Sequence, residues 1–429
     1  MLPLPKLTVN MFKRFLSIVL TLTWVAAFGQ EASYRATWYV DGAKQKYDNR
    51  AHVTLESLDP GTSVVYATNG VELILTRMRL NKTSGSISDD ERRLTGNNSA
   101  ILADAGSKIT IEFCDVTSHT AQADGITATG EGTLIKVQDG TVTSNRAGSA
   151  AVNASYGGKV TVTDAVVKTY SQQSPSFHTI KGGCVEVSEI IGENAGQASP
   201  LFHSAGTIRA TKCRMSSAKW AIGNVEDGLL FLDKNELKAG GKCGFLLYST
   251  KDNDVQSMLD LVNNSISVAE GPVFLVTNNN NASITLQGNN ISCKSNELLE
   301  VKADDWGEKG SNGGHATLWV NKQSLQGDIF VDSISYLDVN LNKGAKLNGQ
   351  INNKENRCAQ VHVKVKAGSS WTSKGESYLT SIEFDQPLAK GLKQLKGKHV
   401  IYYDPADPAN AALEGKEHKT GGGVLRPMK

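Results

Sequence analysis

Two histidines stand one repeat step of 25 residues apart, His178 in Pro175-Ser-Phe-His178 and His203 in Pro200-Leu-Phe-His203. Imidazoles stacked on one another could share a metal ion or offer ring nitrogens to a sugar, although a metal site asks for a third ligand. A second group is Asp115, Asp139 and Asp164, spaced 24 and 25 residues apart at turn positions. Their carboxylates could hold calcium if the turns are superimposed, or simply be solvated outward as turn aspartates are. The third is an insertion, Lys302-Ala-Asp-Asp-Trp-Gly-Glu-Lys-Gly-Ser-Asn-Gly-Gly-His315. An exposed Trp306 could stack on a sugar face while Asp304, Asp305 and Asn312 bond hydroxyls, or the indole could fold back over the chain edge. Which of these holds depends on the scaffold.

That scaffold is written between Gly106 and Leu237. Glycines at 106, 132, 158, 183, 206 and 228 each open the same phrase of two alternating apolar positions, a turn and a further apolar position. The steps are 26, 26, 25, 23 and 22 residues. A period in the twenties with strand alternation predicts a solenoid whose coils stack on their neighbours. A second apolar group in each coil, such as Ala151-Val152 or Leu201-Phe202, brings the count to about three short strands per coil. The expected fold is therefore an all-β, single-stranded parallel β-helix with side chains one coil apart lying on top of one another. Right-handedness follows from the crossover preference of parallel strands. If Phe177 and Phe202 point inward, His178 and His203 point outward and stack near the strand spacing of ~4.8 Å. The turn column reads Cys114, Gly140, Ala165, Ile190 and Cys213, then Asn235, Asn264 and Asn289. Three asparagines in register predict a structural amide ladder.

Composition agrees. Hydrophobic residues are 39% and aromatics 7% of the chain, low for a globule but natural for narrow coils, and 41 glycines supply turns. A net charge of +2 without a basic run gives no reason to expect nucleic acid. Lys13 and Arg14, the apolar run Phe15 to Val25 and Ala27-Phe28-Gly29 predict an export signal over 1–29, with Met11 the expected start. The run is too short for a comfortable membrane span, and no second long one follows. The six cysteines are Cys114, Cys184, Cys213, Cys243, Cys293 and Cys358. Cys114 and Cys213 share a column but stand four coils apart, ~19 Å, beyond the ~7 Å limit for bridging. The plainest expectation is small buried thiols.

The chain then divides as a signal (1–29), an N-terminal β cap (30–69), the β-helix (70–366) and a C-terminal cap with a mobile tail (367–429). The polar excess from Asn81 to Asn98 reads as a loop thrown out of one coil. Ser149-Ala-Ala-Val-Asn-Ala154, Glu270-Gly-Pro-Val-Phe-Leu-Val-Thr277, Trp306-Gly-Glu-Lys-Gly-Ser-Asn-Gly-Gly314, Gly375-Glu-Ser-Tyr-Leu-Thr-Ser381 and Val400-Ile-Tyr-Tyr-Asp404 resemble a family of exported bacterial right-handed parallel β-helix proteins, adhesin-like and of pectin-lyase-like fold. The resemblance implies a fold and an exported address and carries over no catalytic residues.

Parallel β-helices also include polysaccharide lyases and glycoside hydrolases. Hydrolysis needs two opposed carboxyl groups ~5 to ~9.5 Å apart. The polygalacturonase-like set is missing: Asp89-Asp90 and Asp304-Asp305 stand without its other members. The expectation is a monomeric, non-catalytic protein of the surface or extracellular space, with the periplasm as an alternative address. It would bind polysaccharide or host cell-surface glycan without a cofactor. A polysaccharide-degrading enzyme and a structural envelope component are the alternatives.

Overall fold

A computed structural model describes residues 35–42, 46–49, 52–250 and 256–429; residues 1–29, expected to be an export signal, lie outside them. The body described here is Ala36–Lys429. Alternation along each strand sends every second side chain inward, and the same inward position recurs coil after coil. One such column runs Leu73, Ile109, Ile135, Val160, Val185, Ile208 and Leu230. It continues without interruption through Leu259, Ile284, Leu318, Val339, Val363 and Ile382. β-Branched and leucine side chains stacked on their like fill the prism, and all thirteen belong to one apolar core. The last steps of this column, 21, 24 and 19 residues, are shorter than the first because the coils there spend fewer residues on turns.

The fold is a parallel β-helix. The first sheet has twelve strands, from Arg35–Asp41 to Asp328–Val331; the second has fourteen, from Lys46–Asn49 to Ser381–Phe384; the third has ten, from Thr54–Ser57 to Asn290–Cys293. Two four-stranded sheets complete the far end. His418–Lys419 pairs antiparallel with Val424–Pro427. No helix in the described residues is long and apolar enough to cross a membrane.

The turn from second to third sheet explains how so many coils keep register. Phe113, Asp139, Asp164, Glu189, Lys212, Lys234 and Asn263 all hold φ between 50 and 59°, the left-handed region that costs a non-glycine residue about 1 kcal/mol or more. Bonds between coils offset this, as Phe113 N–H donates to Gln138 O and Glu189 N–H to Thr211 O. The next position carries the amide ladder. Asn264 Oδ1 accepts both the backbone N–H and Nδ2 of Asn235, and Asn289 Oδ1 accepts the same pair from Asn264, all at 2.9 Å. Gln323 Oε1 extends the ladder by accepting both from Asn289. Asn235 Oδ1 closes it by accepting Cys213 N–H at 2.8 Å.

Three sequence expectations need correction. Residues 35–57, read as part of a cap, supply the first strands of all three sheets, with Lys46–Asn49 paired in register to Glu72–Thr76. Pairing is done by backbone, so a departure from the side-chain pattern does not break it. The loop 81–98 contains a helix, α1 (Asp89–Thr95), with Ser88 Oγ accepting Glu91 N–H and left-handed Gly96 closing it. The Gly421-Gly-Gly423 tail is packed: a Cβ on Gly423 would lie 2.5 Å from His399 O, so glycine here permits close approach. Beyond it Val424–Pro427 pairs with Val400–Tyr403. At this end Asn410 Oδ1 accepts Ile382 N–H on the last strand of the second sheet, and Gly421 N–H donates to Leu395 O.

Asn264→Ala removes an acceptor for two donors of Asn235 and two donors of its own side chain at a buried site. We expect a loss of ~2–4 kcal/mol in denaturant unfolding. Asn290→Ala, one residue past the ladder and exposed, should stay within ~0.5 kcal/mol.

Candidate functional site

Strand alternation places Phe177 and Phe202 in the core, stacked with centroids 5.6 Å apart. Their neighbours His178 and His203 therefore stand on the outer face of the first sheet. Register makes them part of a longer row: Thr127, Asn153, His178, His203, Asn224, Leu246, Leu275 and Glu300. Two places further along the strands, on the same face, Glu226 lies beside Tyr248.

Two insertions cover the ends of this row. At one end α1 lies on the sheet, so that a Cβ on Gly96 would meet Thr127 Cγ2 at 2.8 Å. Arg92 fastens it, donating from Nη1 to both oxygens of fully buried Asp124 at 2.8 and 2.9 Å and from Nη2 to Asp89. At the other end the loop 302–313 is held by Lys242 Nζ on Asp304 Oδ2 at 2.8 Å. Asn312 Nδ2 donates to the carbonyls of Asp304 and Trp306, closing the loop on itself. The Trp306 indole meets Tyr248 edge to face at 5.1 Å. Of the two orientations open to Trp306, the indole takes the folded one, and Asp304 and Asn312 spend their polar atoms on the loop. Asp305 is exposed, its N–H donating to Asp304 Oδ1.

The imidazoles of His178 and His203 lie 4.9 Å apart at 35°. They are not both exposed, as a bare outer face would make them: His178 is only 7% exposed, because the face is covered. Burial, then His203 and the guanidinium groups of Arg92 and Arg93, hold its pKa well below the usual histidine value, so it is neutral at pH 7. His203 Nε2 lies 3.0 Å from Glu226 Oε2 and 3.1 Å from the Tyr248 hydroxyl, which donates to the same carboxylate at 3.2 Å. Thr250 Oγ1 donates to the other carboxylate oxygen. Burial opposes ionisation of Glu226, but the contacts with His203, Thr250 and Tyr248 prevail and bring its pKa down to about 2. Burial and Glu226 push the Tyr248 phenol well above 10, so it serves as a proton-bearing donor.

Beside this satisfied network the row carries polar atoms that are buried without a hydrogen-bond partner. They are both amide atoms of Asn153, His178 Nδ1, Asn224 Oδ1 and, on the adjoining turn, Trp220 Nε1. Trp220 packs against Ala221, Cys243, Leu246 and Leu275, with Lys242 Nζ over its ring at 5.5 Å. Buried polar groups in folded proteins are almost always met by protein, water or ligand. Hydroxyl groups, which both donate and accept, are the chemistry that would complete this mixed set of amide, imidazole and indole atoms. His203 and Glu226 keep 21% and 15% of their side chains exposed, so the row reaches solvent there.

The aspartate group does not assemble. Asp139 and Asp164 share the left-handed turn column with Phe113, whereas Asp115 sits two residues later in a strand, facing Arg79 at 3.8 Å. The column continues from Asp164 to Glu189, which pairs with Lys212 at 3.0 Å. Among the described residues no three His, Cys, Asp or Glu side chains are placed to hold a metal ion. All six cysteines are free thiols.

Sequence reasoning found His178, His203 and Trp306 as separate features; Tyr248 is what joins them. Asn153, Asn224, Glu226 and Tyr248 were missed, although following the histidine row one coil in each direction would have reached Asn153 and Asn224. For α1 the signal was Ser88-Asp-Asp-Glu91, a capping box with acids at the start and Arg92 and Arg93 at the end.

The buried neutral His178 fixes a pH dependence. Its folded pKa lies below 6.5, so above pH ~6.5 both states are neutral, and as pH falls the unfolded chain binds the proton first. The thermal midpoint should therefore fall between about pH 7 and pH 5, and His178→Gln should flatten that slope. Glu226 adds a separate loss on going from pH 4.5 toward 2, which Glu226→Gln should remove.

Comparison of the sequence with models of protein families and with curated proteins finds no match. Of what the sequence resemblance implies, the parallel β-helix is the part that the structure shows.

Proposed function

We propose that this is an exported, non-catalytic β-helix protein that binds glycan along the outer face of its first sheet, in the manner of an adhesin. The observation that carries the reading is the line of unpartnered buried polar atoms on Asn153, His178 and Asn224, with Trp220 on the adjoining turn and Trp306 against Tyr248 at the loop end. Sugar hydroxyls donate and accept, as that mixed set of amide and imidazole atoms requires, and indoles suit the apolar faces of the rings. A non-catalytic role is favoured because the carboxylates around the row are engaged. Glu226 is held by three side chains, Asp304 by Lys242, Glu300 by Lys302 and Asp124 by Arg92. The partners of Glu226 and Asp304 hold these two carboxylates below the usual carboxylate range, whereas a general acid for glycoside cleavage needs a raised pKa; Asp124, whose pKa burial raises, has no exposed side-chain surface beneath Arg92.

One observation favours degradation instead. His203, Glu226 and Tyr248 stand within hydrogen-bond reach of one another, a base and a protonated phenol that β-elimination of a uronate would use. Release of unsaturated product from uronic-acid polymers, abolished by Glu226→Gln, would establish it.

Binding is tested with the purified protein on a glycan array and on cells. We expect selective binding that drops about tenfold or more in Asn224→Leu, which removes the unpartnered amide, and in Trp306→Ala, with unfolding midpoints confirming that both variants are folded. A blank array together with blank cells overturns the reading. Export is checked by the mass of the secreted chain, expected to start after Gly29.

A further inference from the structure

Helix α1 covers the end of the first-sheet row where Asn153 and His178 hold their unpartnered atoms, and it does so without an apolar anchor. Arg92 is its one buried residue, while Leu94, its one large apolar side chain, is 66% exposed. Its polar tie to the sheet is Arg92 Nη1 on Asp124. The Nε and Nη2 atoms of Arg92 turn back to Asp89, and the Glu91 amide and Thr95 hydroxyl bond within the helix and its cap. Seven residues are marginal as a helix, and elements with few buried apolar contacts are the first to open. Gly85 and Gly96, left-handed at φ 85 and 73°, bound the segment.

We propose that α1 is an acid-released lid: a proton on His178 repels Arg92 and Arg93, lifts the helix and opens the stretch from Asn153 to His178. Burial keeps the imidazole neutral while the lid is down, and the groups that act on it are Arg92 and Arg93 from α1 and His203 from the next strand. Arg93 also acts on the Tyr248 phenol, so its charge reaches along the row. The carboxylates around them are engaged, Asp124 and Asp89 by Arg92, and Glu226 by His203, Tyr248 and Thr250. A cation formed on His178 therefore meets two guanidinium groups and finds these acids already occupied. With the lid up the imidazole is solvated and titrates near 6.5, so below that pH each unit favours the open form about tenfold. The proposal rests on the binding reading above for what enters the row; the motion itself requires no ligand. With the lid down the row meets solvent at His203 and Glu226, and with it up Asn153 and His178 join them.

Hydrogen exchange of the full chain without ligand tests the lid. We expect the protection factors of the 89–95 amides, corrected for intrinsic rate, to fall about tenfold or more between pH 7.5 and pH 5, while those of the core strand Lys159–Thr163 hold. His178→Gln, which cannot take the proton, should keep α1 protected at both pH values. A second variant locks the helix. A Cβ on Gly96 lies 3.6 Å from Thr127 Cβ, within disulfide reach, so Gly96→Cys with Thr127→Cys can be oxidised, with Cys358→Ser removing the exposed native thiol. The oxidised lock should hold α1 protected at pH 5, and reduction should release it. Glycan that binds the row should bind severalfold tighter at pH 5.5 than at pH 7.5 and lose that gain in the oxidised lock. Protection of α1 that is the same at both pH values, that falls equally in His178→Gln, or that falls together with Lys159–Thr163 overturns the proposal. Because the exchange measurement contains no ligand, a blank glycan array overturns the binding reading and leaves the lid standing.

Discussion

Every feature of this molecule rests on hydrogen bonding between a residue and its counterpart one coil away. A strand of three to five residues has no stability of its own, and a turn with a left-handed aspartate, lysine or phenylalanine is unfavourable in isolation. Stacking makes both tolerable, because each coil completes the donors and acceptors of the one beneath. At the turn between second and third sheets the backbone alone does not complete them, and the side chains of Asn235, Asn264, Asn289 and Gln323 supply the missing acceptors. Burial of the three asparagines is tolerated because each of their amides both gives and receives, while Gln323 at the end of the ladder only receives.

The same vertical order that makes the core monotonous makes the surface informative. A residue type repeated in the inward column only fills space, as leucine does above isoleucine. In the outward row of the first sheet the types vary along the stack, from threonine through asparagine, a histidine pair, asparagine and a leucine pair to glutamate. Two insertions from distant parts of the chain then close over that row. One is anchored by a buried arginine on a buried aspartate, the other by a lysine and a half-buried indole. Removing the row from water turns ordinary surface side chains into a network with displaced titration, and leaves some of them short of partners.

The inward columns and the asparagine ladder could be read from the sequence because there the physics repeats: the same environment recurs every coil and selects the same kind of residue. The Phe-His pairs could be read for the same reason, since alternation fixes which of two neighbours faces out. What could not be read belongs to events that happen once. Helix α1 is a single insertion, and nothing periodic says that it turns back over Thr127. The burial of His178 follows from that fold-back, so an expectation of exposed imidazoles was reasonable for a bare sheet. Asp115 was placed two positions out of column because the turn residue at that coil is Phe113, a type that turns seldom choose. The triple glycine was taken for slackness, whereas it is where backbone meets backbone.

The far end of the stack has a consequence for how the molecules coexist. A parallel solenoid is a template by construction, since its last coil offers what the first coil of another copy needs. Here that offer is withdrawn: an asparagine side chain occupies Ile382, a glycine amide takes Leu395, and the final strand pairing reverses direction over two residues. End-to-end growth into fibrils is thereby denied a starting edge, and the protein keeps the economy of a repetitive fold without its tendency to continue indefinitely.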